Sequence, residues 1–572
     1  MTVNDSSSSA ASRADSKADI PDQRGRDQRD SDRPAGSPRD VDLVAAGLVP
    51  ALPAAFASGK ALELLEPIEF LGSAADSLDR PLPGADRRQL AEALGVANAA
   101  YGHRRAEALA ALLADPATAV VVTGQQTGLF GGPLYALTKA VAAALWAERL
   151  TAAGRPAVAV FWMATEDHDY REVARATFPV VSSATGSKLL ALELGDDPTP
   201  LMPVGMRALG PNVDQVLETL RGAFPGERFS EWVDRLASWY RPNARFGEAF
   251  ARLMVGLLGD RCPLLLDAML PAVKEAERPW LERIVVEHEQ ITAAQSARED
   301  AIQAAGYELQ VQPQLGASPL FYLHGMERRR LALEGDQVSL RGRDAFSETR
   351  SWLEEAVREN PAVVSPGVLA RPAIQDAILG THLQILGPGE VSYMPQVAPL
   401  YDYLEIPPPL VAIRPHALVL GRHQLDKLDA SGLELADLVA PNLDLDRVLG
   451  GEEGDELVAG AAADIGKRLD QLGARALEVD ATLAGPFEKT KSRIEGALSG
   501  FAARAAMAVA QRDQVTRQRA EALREVCRPQ GALQERVVSS AYFPGKYGDR
   551  FVEALFEQLD LDWRRLSVID PS

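Results

Sequence analysis

At 572 residues and 46% hydrophobic content, the chain exceeds what one core organises and holds material for two or three folded units. A formal net charge of -20 argues against affinity gained by neutralising a phosphate backbone, so nucleic acid is not an expected partner. Its two cysteines, Cys262 and Cys527, show no metal-ligand spacing, and a chain this long needs no disulfide staple.

Residues 1–41 mix Ser, Asp and Arg with few large apolar side chains and are expected to form a disordered tail. No secretory signal or membrane-spanning apolar run is evident, which points to a cytoplasmic protein without membrane contact. Residues 42–425 are expected to form an α/β core. Within it, residues 89–113 are Ala/Leu-rich and are predicted to be one helix, followed by the buried strand "TAVVVTG". The loop "GQQTGLFGGP" then leads into an apolar-periodic helix with Pro133 at its start, and "RPAVAVFWMA" supplies the next strand.

Strand, helix, strand is a right-handed βαβ unit, so the loop at 124–132 faces the residues after Ala164. Those residues are "TEDHDYREV", with Asp167, His168 and Asp169 beyond the carboxyl end of a strand, where α/β sheets place ligands. A histidine between carboxylates is expected to have a raised pKa suited to proton transfer. The plainer alternative is a helix cap provided by Thr165 or Asp167. In the loop, unpaired N–H groups would suit an anion, and Gln125, Gln126 and Thr127 a polar ligand. The spacing matches neither the dinucleotide fingerprint nor Walker A. Lys139, about two turns into the helix, suits a surface ion pair as well as substrate.

Further along, "CPLLLDA" is a strand ending at Asp267, and insertions are expected at about 171–260 and 295–345, with β-structure at 187–194 and 306–340. The stretch "LARPAIQDAILGTHLQILGPGEVSYMPQ" sets Arg371, Gln375 and Asp376 before a short strand, with Gly387, Gly389, Glu390 and Gln396 beyond it. Residues 426–530 turn to long helices. Ile465, Leu469, Leu472, Ala476, Val479 and Leu483 alternate steps of four and three, as do Ile494, Leu498, Phe501, Ala505 and Ala508 after the break at "AGP". This predicts an antiparallel coiled-coil hairpin, its second helix continuing to Val526, that self-associates. Residues 531–572 are expected to pack on the core.

These motifs, with "GALQERVVSSAYFPGKYGDRFVEAL", resemble the cysteine ligases of bacillithiol biosynthesis (the BshC family), in this order over roughly residues 42–570. The resemblance implies a Rossmann-like, class I synthetase-like α/β core with small inserted subdomains and a coiled-coil domain that forms a homodimer. It implies a ligase joining L-cysteine to the amino group of glucosaminyl malate. The family pocket maps onto Gly124, Gln125, Gln126, Gly128, Pro133 and Tyr135, then Asp167, His168 and Asp169, then Arg371, Gln375, Asp376, Gly387, Gly389, Glu390 and Gln396.

Amide formation from a free carboxylate is uphill in water, so ATP, with Mg²⁺, is the expected activator. The 124–128 loop or the 387–389 turn would cradle an anionic group, Asp167 or Asp169 would hold an ammonium group or a metal, and His168 would move the amine proton. No residue is assigned as a standing metal ligand. The alternatives are a non-catalytic, nucleotide-binding dimeric scaffold and a related ligase for another amino acid or amino sugar.

Overall fold

A computed structural model describes residues 39–572 except 183–185, 315, 443–447, 449–450 and 511–513, so most of the expected tail lies outside the described residues. Six strands form the central sheet, in the spatial order Glu69–Phe70, Leu410–Ile413, Thr381–Leu386, Ala119–Gln125, Ala157–Met163 and Leu264–Asp267. Every pairing is parallel. The unbroken apolar runs at 119–122 and 157–163 form these strands because both faces of the sheet are covered. Val120, Val122, Val160 and Trp162 point into one core, while Val121, Ala159, Phe161 and Met163 point into the other.

Helix Leu134–Ala152 lies in the second core through Leu137, Val141 and Trp146. Helix Pro388–Tyr403 lies in the first through Val391, Met394 and Val397. The chain therefore leaves two adjacent strands, Ala119–Gln125 and Thr381–Leu386, toward opposite faces. A crevice opens where strand order reverses, and it is there that α/β sheets bind ligands.

The helix predicted over 89–113 is two helices, Arg88–Tyr101 and Ala106–Ala114. Gly102 takes a left-handed conformation (φ 95°) and ends the first, and the His103 ring reaches the Cys262 carbonyl at 2.8 Å. One insertion holds the hairpin Arg175–Ser182 with Gly186–Glu193 and a helical cluster around Trp232 and Phe246. The other is larger than predicted. Strands Ala317–His324, Glu327–Glu334, Gln337–Leu340 and Arg343–Thr349 are joined by Val364–Pro366 in a five-stranded antiparallel sheet.

Helices Gly451–Val479 and Ala484–Ala510 form the expected antiparallel hairpin, with Lys491 paired to Asp470 at 2.7 Å. Gly473 admits the Phe487 ring, which a Cβ would meet at 2.5 Å. The turn falls at Ala481–Leu483, just ahead of the expected "AGP" break, because Asp480 caps the Thr482 N–H and Pro486 fits the first turn of the next helix. Continuity to Val526 involves residues outside those described. Helix Gln514–Cys527 packs Ala520 and Leu523 against Leu425, Leu428 and Leu438. Strand His416–Val419 pairs in parallel with Leu566–Ile569, so the hairpin is a long excursion between two paired strands.

Candidate active site

A cleft of about 370 Å³ opens at the strand-order reversal, lined by Gln126, Asp167, His168, Arg328, Arg330 and Arg371 among others. Its floor is the Lys139–Glu390 ion pair. Lys139 is not a surface cation: its side chain is 2% exposed, and its Nζ also donates to the Gly124 carbonyl at 2.8 Å and to Gln125 Oε1 at 3.0 Å. Burial pulls its pKa down, against the charge of Glu390. Burial pushes Glu390 up, but Lys139 outweighs it and holds the carboxyl below its ordinary value. The same carboxylate accepts the Gly387 N–H at 2.5 Å. Gln125 donates to the Tyr135 hydroxyl at 3.2 Å, and the Arg414 guanidinium lies 5.2 Å from the centre of the Tyr135 ring.

At the rim, Gln126 Nε2 donates to Asp167 Oδ2 at 2.6 Å, and the His168 N–H donates to Asp167 Oδ1 at 2.7 Å. Arg328 Nη1 lies 3.3 Å from His168 Nδ1. A guanidinium can only donate, so Nδ1 is the acceptor and the neutral ring carries its proton on Nε2. The expectation of a raised pKa is corrected. Burial and the Arg328 charge lower it, outweighing Asp167 and Asp169. His168 therefore stands as a neutral ring whose Nε2–H can donate.

Asp169, expected among the catalytic carboxylates, caps the short helix Tyr170–Val173 by accepting the Glu172 N–H at 3.1 Å. The cap falls two residues beyond the nearer alternative, Asp167. Behind the rim, buried Lys274 pairs with both Glu166 and Glu277.

The third motif divides. Arg371 lines the cleft, donating to Gln375 Oε1 at 3.2 Å and the Tyr393 hydroxyl at 3.4 Å. Gln375 and Asp376 lie in the core, where Asp376 accepts from Tyr401 at 2.6 Å and burial raises its pKa to about 6. Gln396 is also buried. It donates to the Val311 carbonyl at 2.8 Å and accepts the Val311 N–H at 3.0 Å, which ties down a loop away from the cleft. Gly389 has open space where a Cβ would stand.

The glycine loop also differs from expectation. Gly124 sits against the neighbouring strand, where a Cβ would come 2.7 Å from the Trp162 carbonyl oxygen. A Cβ on Gly128 would meet Gly132 Cα at 2.8 Å. The Gly131 N–H goes to the Tyr240 hydroxyl at 3.1 Å, the Leu134 N–H to the Val538 carbonyl at 2.9 Å, and the Gly132 carbonyl accepts the Ser540 N–H at 2.8 Å. These contacts fix the far end of the loop, at 131–134, against the C-terminal segment. Thr127 is buried, and its hydroxyl lacks a partner among the described residues. At the 387–389 turn, the position an anion would take is held by the Glu390 carboxylate. Among the described residues, no group of three or more His, Cys, Asp or Glu side chains stands as a metal site.

Arg328, Arg330 and Phe321 were absent from the expected site. Their signal was the run "ERRRLALE", which places alternate arginines on one face of a strand. Also unforeseen was buried Glu535. It accepts from Arg414 at 2.7 and 2.9 Å and from His416 Nδ1 at 2.7 Å, and Arg414 above all, with His416, holds its carboxyl far down despite burial.

The fold and site together define a Rossmann-like protein whose switch-point cleft sets Asp167 opposite a wall of arginines, suited to a small polar molecule carrying both charges. Two family models match it: the N-terminal Rossmann-like domain of bacillithiol biosynthesis BshC over residues 69–415, and the C-terminal coiled-coil domain of BshC over 417–569. The chain belongs to the BshC family. A protein of Salinibacter ruber named "Putative cysteine ligase BshC" is 32% identical over 84% of this chain and 88% of its own length. Proteins of the same name from Solibacter usitatus and Koribacter versatilis are 30% and 32% identical, over 79% and 76% of this chain and 84% and 81% of theirs.

Proposed function

We propose that this protein is a ligase that forms an amide between the carboxyl of L-cysteine and the amino group of glucosaminyl malate. The family supports the reaction, and the observation that carries the chemistry is the contact of Asp167 with a histidine fixed as an Nε2–H donor. The amine nitrogen attacks the activated cysteine carboxyl. Asp167 receives the proton the amine loses, while His168 Nε2–H donates to the carbonyl oxygen as negative charge develops there. The leaving group departs with its electron pair.

The reactive thiol belongs to the substrate. Cys262 and Cys527 are buried, and burial raises both thiols, that of Cys527 to about 12, which keeps them from acting as nucleophiles. ATP with Mg²⁺ is the proposed activator, but no step above runs through a nucleotide.

The hairpin is the proposed dimer contact, because Leu472, Val479 and Phe501 stand 57%, 82% and 52% exposed on it. Leu472→Glu with Phe501→Glu should give a monomer by light scattering. The cytoplasm is the proposed location, and no helix among the described residues is long and apolar enough to cross a membrane.

Mass spectrometry of purified protein incubated with cysteine and glucosaminyl malate, with and without ATP, tests the reaction. The cysteinyl amide is expected, and depletion of the protein in cells should let the amine precursor accumulate. An unchanged cellular thiol pool together with no product in vitro would overturn the reading.

A further inference from the structure

Arg330 is the cation of the cleft that the protein itself does not occupy. Strand Glu327–Glu334 lies antiparallel to Ala317–His324, with Arg330 opposite Phe321 and Arg328 opposite Leu323. Residues two apart share a strand face, so both guanidiniums lie over the Phe321 ring, at 3.8 Å for Arg328 and 5.0 Å for Arg330.

Their hydrogen bonding differs. Each nitrogen of Arg328 has a partner: Nε donates to Ser365 Oγ at 2.9 Å, Nη2 to the Pro366 carbonyl at 3.0 Å and Nη1 to His168. Arg330 lines the same cleft yet finds no acceptor and no ion pair among the described residues. Its guanidinium is held in place by the aromatic face, with its donors left for something that enters. Arg371 lines the cleft as well and adds a second positive charge.

We propose that Arg330, with Arg371 in the same cleft, binds a carboxylate of the acceptor, so that the inserted antiparallel sheet sets specificity for a dicarboxylate-bearing amino sugar. This rests on the acceptor named above, whose malate part carries two carboxylates. A planar guanidinium fork is matched to a carboxylate in a way an ammonium is not. The geometry also sorts the two ends of the acceptor. Its acid groups meet the arginine wall, and its amine is left toward Asp167.

The test compares Arg330→Gln and Arg330→Lys with the unaltered protein, after thermal melts establish that each is folded. KM for glucosaminyl malate should rise roughly 10–100-fold in Arg330→Gln, with KM for cysteine unmoved. The preference for glucosaminyl malate over methyl glucosaminide should collapse, and Arg330→Lys should recover part of it. An unchanged KM and an unchanged preference overturn the assignment.

Calorimetric titration with L-malate alone separates this inference from the ligase reading. Malate binding that Arg330→Gln abolishes supports the carboxylate site even if no amide is ever formed. Equal binding by both proteins, or none by the unaltered one, overturns it.

Discussion

Lys139 on the floor of the cleft and Arg330 on its wall are both cations beside polar groups, but the protein uses them in opposite ways. Lys139 meets Glu390, Gln125 and the Gly124 carbonyl, so its three donors have three acceptors. Arg330 has an aromatic face and no acceptor among the described residues. The contrast separates structural from chemical groups more reliably than residue type or position in a motif. Saturated groups such as Lys139, Glu390, Asp376 and Gln396 hold strands and loops in register. Unsaturated or half-exposed ones, such as Asp167, His168 and Arg330, are left to meet a ligand.

The largest expected effect comes from breaking the floor. Lys139→Met leaves the Glu390 carboxylate without its cation and should cost roughly 3–5 kcal/mol, read as a large drop in thermal midpoint. Adding Glu390→Gln should restore part of that loss. A double variant no more stable than the single one would remove Lys139 from the floor.

The rim should respond in reverse. His168→Ala should cut turnover by roughly 10²–10³-fold, the usual effect of losing a donor to a developing oxyanion, while the melt moves little. Normal turnover by this variant would end the catalytic assignment.

Acid offers a smaller, graded version of the same comparison. His382 is wholly buried, bonded to the Leu78 carbonyl at 3.1 Å, and burial with the Arg155 charge lowers its pKa to about 4. Between that value and the unfolded value of about 6.5, the unfolded chain binds more protons. Stability should therefore fall as pH drops through this window, by about 1.4 kcal/mol per unit from this group. Denaturation series from pH 7 to 4 should show a shallower acid limb for His382→Gln.

The smallest effect belongs to Asp169. Asp169→Ala should lose a cap worth roughly 0.5–2 kcal/mol, with turnover tracking the folded fraction. A sharp fall in turnover per folded molecule would return Asp169 to the chemistry.

The parallel core and the helical hairpin were legible in the sequence because each is written in local periodicity: β-branched runs for buried strands, steps of three and four for the coil. So was the location of the cleft, since a βαβ unit fixes which loop ends face each other. What the loops do there was not legible. The glycines of 124–132 accept a segment 400 positions away, with Ser539 Oγ donating to the Phe130 carbonyl at 3.1 Å, and no local pattern announces that partner. The direction of the His168 shift depended on burial and on Arg328, which reaches it from an inserted sheet 160 residues on. Asp169 illustrates a different limit: capping and catalysis ask for the same residue type at the same place, and only geometry tells them apart.

The docking of residues 534–541 against that loop has a consequence for biosynthesis. Glu535 anchors Arg414 and His416, while Val538, Ser539 and Ser540 close over the turn between the first strand motif and its helix. As the chain leaves the ribosome, every residue of the cleft emerges before the hairpin does, yet the loop beside it lacks its backing until residues 534–541, beyond the hairpin, have followed. A message cut short within the hairpin would yield a Rossmann-like body with an unsupported glycine turn, a target for proteases and not a reduced version of the enzyme. Because the hairpin loops out between two paired strands, a longer or shorter hairpin would leave that closure in place.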